Sequence, residues 1–85
     1  MPELSRFLGI IIAMYYRDHA PPHFHAIYGE YEATVDIESG EVNGHLPKRA
    51  LAHVHEWRLL HKEELLQSWA LAQAQQPLSK IAPLE

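Results

Sequence analysis

The sequence predicts an α+β domain in which an antiparallel sheet of three to four strands carries one long C-terminal helix on one face, followed by an extended C-terminal tail. Three observations predict this class. Residues 7–16 form an apolar run, residues 23–37 alternate around Gly29-Glu30, and an apolar stripe recurs at helical spacing over residues 47–74. With 85 residues, the chain is expected to be a single domain over 1–85.

The run from residue 7 to residue 16 is the first predicted strand. It shows no alternation of polar and apolar side chains, which indicates a strand buried on both faces. Gly9 lies inside the run and predicts a β-bulge or a close approach of another backbone. Since the run is too short to cross a bilayer as a helix, and Arg17-Asp18 follow it, we expect no membrane segment.

The next two strands are predicted to form a hairpin over residues 23–28 and 31–37. Gly29-Glu30 connects them, and glycine at the first central position suits a type II′ turn. One face of this hairpin is apolar and the other polar, which favours a single register. That register opposes six pairs of residues: Tyr28–Tyr31, Ile27–Glu32, Ala26–Ala33, His25–Thr34, Phe24–Val35 and His23–Asp36.

The second half of the chain predicts a short strand, a helix and a tail. Val42 begins the strand and Asn43-Gly44 end it, while the helix runs from Pro47 to about Ala74. His61 falls within the apolar stripe of this helix, so its imidazole should face the sheet. It is either a neutral core histidine or a further member of a site on the strands.

Composition and charge exclude several functional classes. The chain has no cysteine, which excludes disulfides, cysteine-type zinc sites and thiol catalysis. The net charge of −4 disfavours nucleic acid as a partner, although it leaves that alternative open. The opening Met1-Pro2-Glu3 lacks the features of a signal peptide, so a cytoplasmic location is expected.

The segment Asp18 to His25 holds the candidate functional residues. His23 and His25 are two apart on a strand and share a face, His19 lies on the loop at the same end, and Asp36 is opposite His23. Histidine changes charge near neutral pH and is a common metal ligand. We therefore predict a site formed by His19, His23, His25 and Asp36.

Three interpretations of these four residues stay open. They could act as general acid and base in catalysis. They could bind zinc or another divalent metal as a cofactor through the imidazoles and the carboxylate. The third interpretation is structural: the same groups would hydrogen-bond one another across a solvated sheet face.

The chain as a whole resembles a family of small bacterial proteins, the domain of unknown function 4160. The resemblance rests on Ser5-Arg6-Phe7, Gly9-Ile10-Ile11-Ile12, Asp18-His19, Pro21-Pro22-His23-Phe24-His25-Ala26, Tyr31-Glu32-Ala33, Leu46-Pro47-Lys48-Arg49-Ala50-Leu51, Glu56-Trp57, His61, Glu64-Leu65-Leu66, Trp69, Pro77-Leu78, Ile81 and Pro83-Leu84. Members resemble components of two-gene toxin–antitoxin modules, since they are often encoded beside another small protein. The resemblance supplies no catalytic residues.

Three functional hypotheses follow. The first is a protein-interaction component, such as the toxin, of a two-gene module, partnered by a homodimer copy, by the neighbouring gene's protein, or by both. The second is a small hydrolase or nuclease, metal-dependent or histidine-dependent, that uses His19, His23 and His25 with Asp36 or Glu32. The third is an interaction module that responds to pH through the same imidazoles.

Overall fold

The computed structural model describes residues 2–85 and has an α+β fold, as predicted. The elements are β1 (Glu3–Phe7), β2 (Ile10–Ala13), β3 (His23–Tyr28), β4 (Tyr31–Asp36), β5 (Val42–Gly44), α1 (Lys48–Leu60) and α2 (Lys62–Gln73). The five strands form one antiparallel sheet whose spatial order follows the chain order. Each strand therefore pairs with the strand that precedes it in sequence.

The prediction of three to four strands was wrong because an additional strand, β1, precedes most of the predicted first strand and forms a hairpin with β2. Phe7 pairs with Ile10, and the two residues between them have positive φ angles, 50° at Leu8 and 80° at Gly9. Two consecutive positive φ values are what a two-residue hairpin turn of type I′ requires. Gly9 therefore belongs to a turn rather than a bulge, and β1 is an additional strand.

The predicted register of the central hairpin is confirmed at all six pairs of β3 and β4. Gly29 has a φ of +59°, as the first position of the predicted turn requires. The apolar face of this hairpin meets the helices, where the Phe24 and Trp57 rings are 5.8 Å apart. The opposite face presents His25 and Thr34. The strand predicted from Val42 is also present, as β5.

The prediction of one long helix was wrong because the helical segment breaks at His61. That residue has φ −121° and ψ 23°, which ends α1 and precedes α2. Its ring lies 5.4 Å from the Trp57 ring, and its Nδ1 is 2.7 Å from Glu64 Oε1. Buried apolar residues continue across the break, since Trp57 of α1 and Leu65 of α2 are both fully buried.

The core lies between the sheet and the two helices, and Trp57 is at its centre. The Trp57 ring is 5.5 Å from the Phe7 ring. The predicted extended tail packs at this end of the core, where Ile81 is buried and its N–H donates to Leu4 O at 2.8 Å. The indole Nε1 of Trp57 donates to Ala82 O at 2.9 Å, which fixes the tail to α1.

Arg58 ties α1 to the turn that follows β4. Its guanidinium Nη1 donates to Ile37 O at 2.8 Å, and the side chain passes close to Gly40. A Cβ at Gly40 would lie 2.7 Å from Arg58 Nη2, so glycine makes room for the arginine. Within residues 2–85, neither helix has both the length and the hydropathy that crossing a membrane requires.

Candidate functional site

The candidate site lies at the end of the sheet where β3 begins and β4 ends. The loop between β2 and β3 carries Asp18 back over the start of β3. There its carboxylate oxygen Oδ2 lies 3.0 Å from His23 Nε2 and 3.5 Å from His25 Nε2. The alternation of β3 puts His23 and His25 on one face, and the loop adds the carboxylate.

His23 is the most enclosed residue of the site. It is only 8% exposed, and its ring lies 5.2 Å from the Trp69 ring of α2. Its Nδ1 donates to the carbonyl oxygen of Pro21 at 2.7 Å, since a carbonyl can only accept. Both ring nitrogens are therefore engaged, one by the loop backbone and one by Asp18.

His25 sits next to His23 and also has a partner at each ring nitrogen. Its Nδ1 is 3.2 Å from Glu32 Oε2, on the neighbouring strand β4, and its Nε2 faces Asp18. The ring of Tyr15 meets the imidazole edge to face, with centroids 4.5 Å apart. The side chain is 13% exposed, so His25 forms part of a covered pocket rather than of an open sheet face.

Asp18 joins the two imidazoles to the loop and to α2. Burial acts to raise the pKa of Asp18, but hydrogen bonds from the His19 backbone N–H and from His25, together with the nearby His23, hold that pKa below its ordinary value. Gln73 of α2 donates from Nε2 to the backbone oxygen of Asp18 at 3.0 Å. The carboxylate is therefore held in its charged form between the imidazoles.

The other two predicted site residues, His19 and Asp36, do not belong to the converging group of Asp18, His23 and His25, although the His19 ring is 5.4 Å from the His23 ring. His19 is on the loop with an 85% exposed side chain, and its Nε2 is 3.7 Å from Asp18 Oδ1. Asp36 pairs with His23 in the sheet, as predicted, but its Oδ1 accepts the backbone N–H groups of Glu38 and Ser39 at 2.9 Å each. Asp36 thus stabilises the turn after β4.

A cavity of about 320 Å³ opens beside the imidazoles. Its walls include His19, His23 and His25 with three carboxylate residues, Asp18, Asp36 and Glu41. The predicted site residues therefore do border one cavity. Their atoms converge more closely in a smaller group, because the candidate ligand atoms of Asp18, His23 and His25 all lie within 4.8 Å of one another.

Asp18 is the member of this group that the sequence-based site left out. Its position just before His19 was a signal, because it lies in the same histidine-rich segment. The hairpin pattern could place Asp36 opposite His23, but no periodicity describes the loop from 14 to 22, which positions Asp18. Glu32 was named as an alternative carboxylate, and it contacts His25.

Together, fold and site define a small α+β domain with a cavity of histidine and carboxylate side chains at one end of its sheet. The chain belongs to the family described as domain of unknown function (DUF4160), whose model matches residues 9–70. The matched range contains Asp18, His23 and His25 as well as both helices up to Ala70. No curated protein and no solved structure matches the chain.

Proposed function

We propose that this protein is a small hydrolase, metal-dependent or histidine-dependent, that acts as the toxin of a two-gene toxin–antitoxin-like module through the cavity at Asp18, His23 and His25. The observation that carries the proposal is the convergence of two enclosed imidazoles on one carboxylate oxygen, at 3.0 and 3.5 Å. Within the folded domain, this arrangement gathers groups that can move protons or bind a cation.

The chemistry of hydrolysis fits this cavity. A hydrolase must activate a water molecule, either by a general base or by a metal ion that lowers the pKa of bound water. Imidazole and carboxylate groups are the side chains that supply both routes. The cavity is open to solvent beside His19, so that a bond in a larger substrate could reach the group.

In this proposal, the protein partner is the antitoxin that the second gene of the module encodes. The exposed tyrosines Tyr15 and Tyr16 flank the loop that carries Asp18, and tyrosine is favoured in protein interfaces. An antitoxin bound there would lie beside His25, whose imidazole the Tyr15 ring contacts. A homodimer stays a second predicted assembly, and a monodisperse monomer in light scattering over a range of concentrations would contradict it.

Expression of the gene alone in a bacterium tests the toxin role and the site together. We expect the wild-type chain to slow growth and His25→Ala to relieve that effect, because the substitution removes one of the converging groups. His45→Ala is the matched control, since His45 is an exposed imidazole that contacts Tyr31 away from the cavity. Circular dichroism should show all three proteins folded.

Two outcomes would contradict parts of this proposal separately. Normal growth with the wild-type chain, expressed at the same level as a known toxin, would remove the toxin role. Equal toxicity of His25→Ala and wild type would instead remove the cavity as the site of action.

A further inference from the structure

We infer that Asp18, His23 and His25 bind one divalent transition-metal ion, and that Pro21 and Glu32 hold the two imidazoles in the tautomer that ligates it. The inference deepens the proposed function, since a metal would activate the water in a hydrolase. Its test nevertheless requires only a measurement of metal binding and no assay of bacterial growth. It also replaces Asp36 of the sequence-based set by Asp18.

The first step concerns the tautomer of His23. Because the Pro21 carbonyl can only accept, Nδ1 of His23 carries the proton and the neutral ring has its lone pair on Nε2. That lone pair points at Asp18 Oδ2, 3.0 Å away. Two lone pairs facing each other at this distance repel unless a proton or a metal ion lies between them.

His25 repeats this arrangement with a carboxylate in place of the carbonyl. In the neutral tautomer whose Nδ1–H donates to Glu32 Oε2, 3.2 Å away, the Nε2 lone pair is directed at the same oxygen of Asp18. A histidine that donates its second ring N–H to a carboxylate or a backbone carbonyl is the usual supporting arrangement of a metal-ligating imidazole. Here the backbone carbonyl of Pro21 supports His23, and the carboxylate of Glu32 supports His25.

Where both rings are neutral with their Nε2 lone pairs facing Asp18, one metal ion would satisfy all three groups at once. Two ligands held at about 2.0–2.1 Å by a tetrahedral ion lie about 3.3 Å apart. The separations from Asp18 Oδ2 to the two Nε2 atoms, 3.0 and 3.5 Å, bracket this value. Each imidazole nitrogen is therefore spaced from Asp18 Oδ2 as two ligands of one ion would be, and the candidate ligand atoms of the three residues all lie within 4.8 Å of one another.

Two imidazoles and one carboxylate also leave coordination positions free. This donor set suits Zn²⁺, Fe²⁺, Co²⁺ or Ni²⁺ rather than Mg²⁺ or Ca²⁺, which prefer oxygen ligands only. The free positions would face the cavity, where a water molecule or His19 can approach. A site with three protein ligands and an open position is typical of catalytic rather than structural zinc.

Calorimetric titration of the untagged, metal-stripped protein with Zn²⁺ tests the inference, with Co²⁺ as a spectroscopic probe. We expect one ion per chain and visible Co²⁺ absorption bands typical of low coordination number. His25→Ala should abolish binding. Glu32→Gln should weaken it by about 10- to 100-fold without removing a ligand, as loss of a supporting carboxylate does.

Glu30→Gln is the matched control, because Glu30 is an exposed carboxylate of the β3–β4 turn, two residues from Glu32 on the same hairpin. It should bind Zn²⁺ as wild type does. The Glu32 side chain is about half exposed, so Glu32→Gln is not expected to disturb folding. Unchanged affinity in Glu32→Gln would overturn the supporting role of that residue.

Absence of Zn²⁺ and Co²⁺ binding by the folded wild-type chain would overturn the metal site. Failure of the proposed function looks different: the chain would bind the ion, with the expected response to Glu32→Gln, yet leave bacterial growth unaffected. Toxicity without metal binding would instead leave a histidine-dependent hydrolase.

Discussion

Asp36 is a carboxylate whose main contacts are with backbone. It accepts the N–H groups of Glu38 and Ser39, and chiefly for this reason its pKa lies below the ordinary value of an aspartate. Arg58, which holds the same turn from α1, adds a favourable charge. The residue predicted for the site is thus also a brace for the turn after β4.

Asp36→Asn should therefore lower stability in a pH-dependent way. Because the pKa is depressed in the folded state, the charged form stabilises the fold above the unfolded pKa of about 3.9, and this contribution is lost as pH falls through the lower folded pKa. Solvent screening keeps the effect at pH 7 to about 0.5–1 kcal/mol.

Urea unfolding of the two proteins at about pH 7 and at about pH 2 measures this difference. The difference in the free energy of unfolding between Asp36→Asn and wild type should approach zero at the lower pH. Glu30→Gln removes an exposed carboxylate and serves as the comparison: its free energy of unfolding should differ little from that of wild type at either pH. A constant difference at both pH values would contradict the assigned role of the charge.

At the residue scale, the sequence could identify the imidazoles but not their partners. The positions of His23 and His25 follow from strand alternation, which is periodic and local. Asp18 is placed by a loop, and Pro21 contributes a backbone carbonyl, which no side-chain pattern reveals. Two of the three converging side chains, His23 and His25, were therefore predictable, whereas Asp36 was predicted in place of Asp18 as the carboxylate.

The geometry of the β1–β2 turn depends on Gly9. Gly9 has a φ of +80°, and a Cβ there would lie 3.2 Å from Tyr28 Cε1. A left-handed backbone costs an ordinary residue about 1–2 kcal/mol, and the contact with Tyr28 adds to it. Gly9→Ala should thus lower the free energy of unfolding by at least about 1 kcal/mol.

Gly29→Ala provides the matched comparison for this prediction. Gly29 also has a positive φ, but a Cβ there would meet nothing within 4 Å. Chemical denaturation of both variants should show Gly9→Ala to be the more destabilised, and the difference measures the contact with Tyr28. Equal losses would show that the Tyr28 ring moves aside without cost.

The elements with a clear pattern of polar and apolar residues in the sequence were predictable, and those without one were not. The β3–β4 register was predictable because two faces alternate and Gly29 marks the turn. The segment from Phe7 to Ala13 is apolar at nearly every position, so no polar turn residue separated β1 from β2. The break at His61 was hidden because the apolar stripe runs through it, although the backbone of His61, with φ −121° and ψ 23°, is not helical.

On the scale of the whole molecule, the tail completes the core. Ile81 is buried, bonds to the backbone of β1 through Leu4 O, and adjoins Ala82, the acceptor of the Trp57 indole. Ile81→Ala should lower the free energy of unfolding by about 2–3 kcal/mol, near the lower end of the range for buried aliphatic truncation. The tail joins two sequence-distant parts of the fold.

Thermal and urea unfolding would check this contribution, with Ser79→Ala as the control. Ser79 is an exposed residue of the same tail, and its substitution should change stability by less than about 0.5 kcal/mol. An Ile81→Ala variant as stable as wild type would mean that the tail lies on the surface in solution without supporting the core.

The chain order of the strands has a consequence for synthesis on the ribosome. Every strand pairs with its predecessor, so the sheet can assemble vectorially as the nascent chain emerges. Asp18, His23, His25 and Glu32 would all have left the exit tunnel before either helix. The ligand atoms could meet early, whereas the enclosure by Trp69 and Gln73 must wait for α2. A truncated translation product that lacks α2 could thus contain the histidine segment without the enclosure that α2 provides in the complete domain.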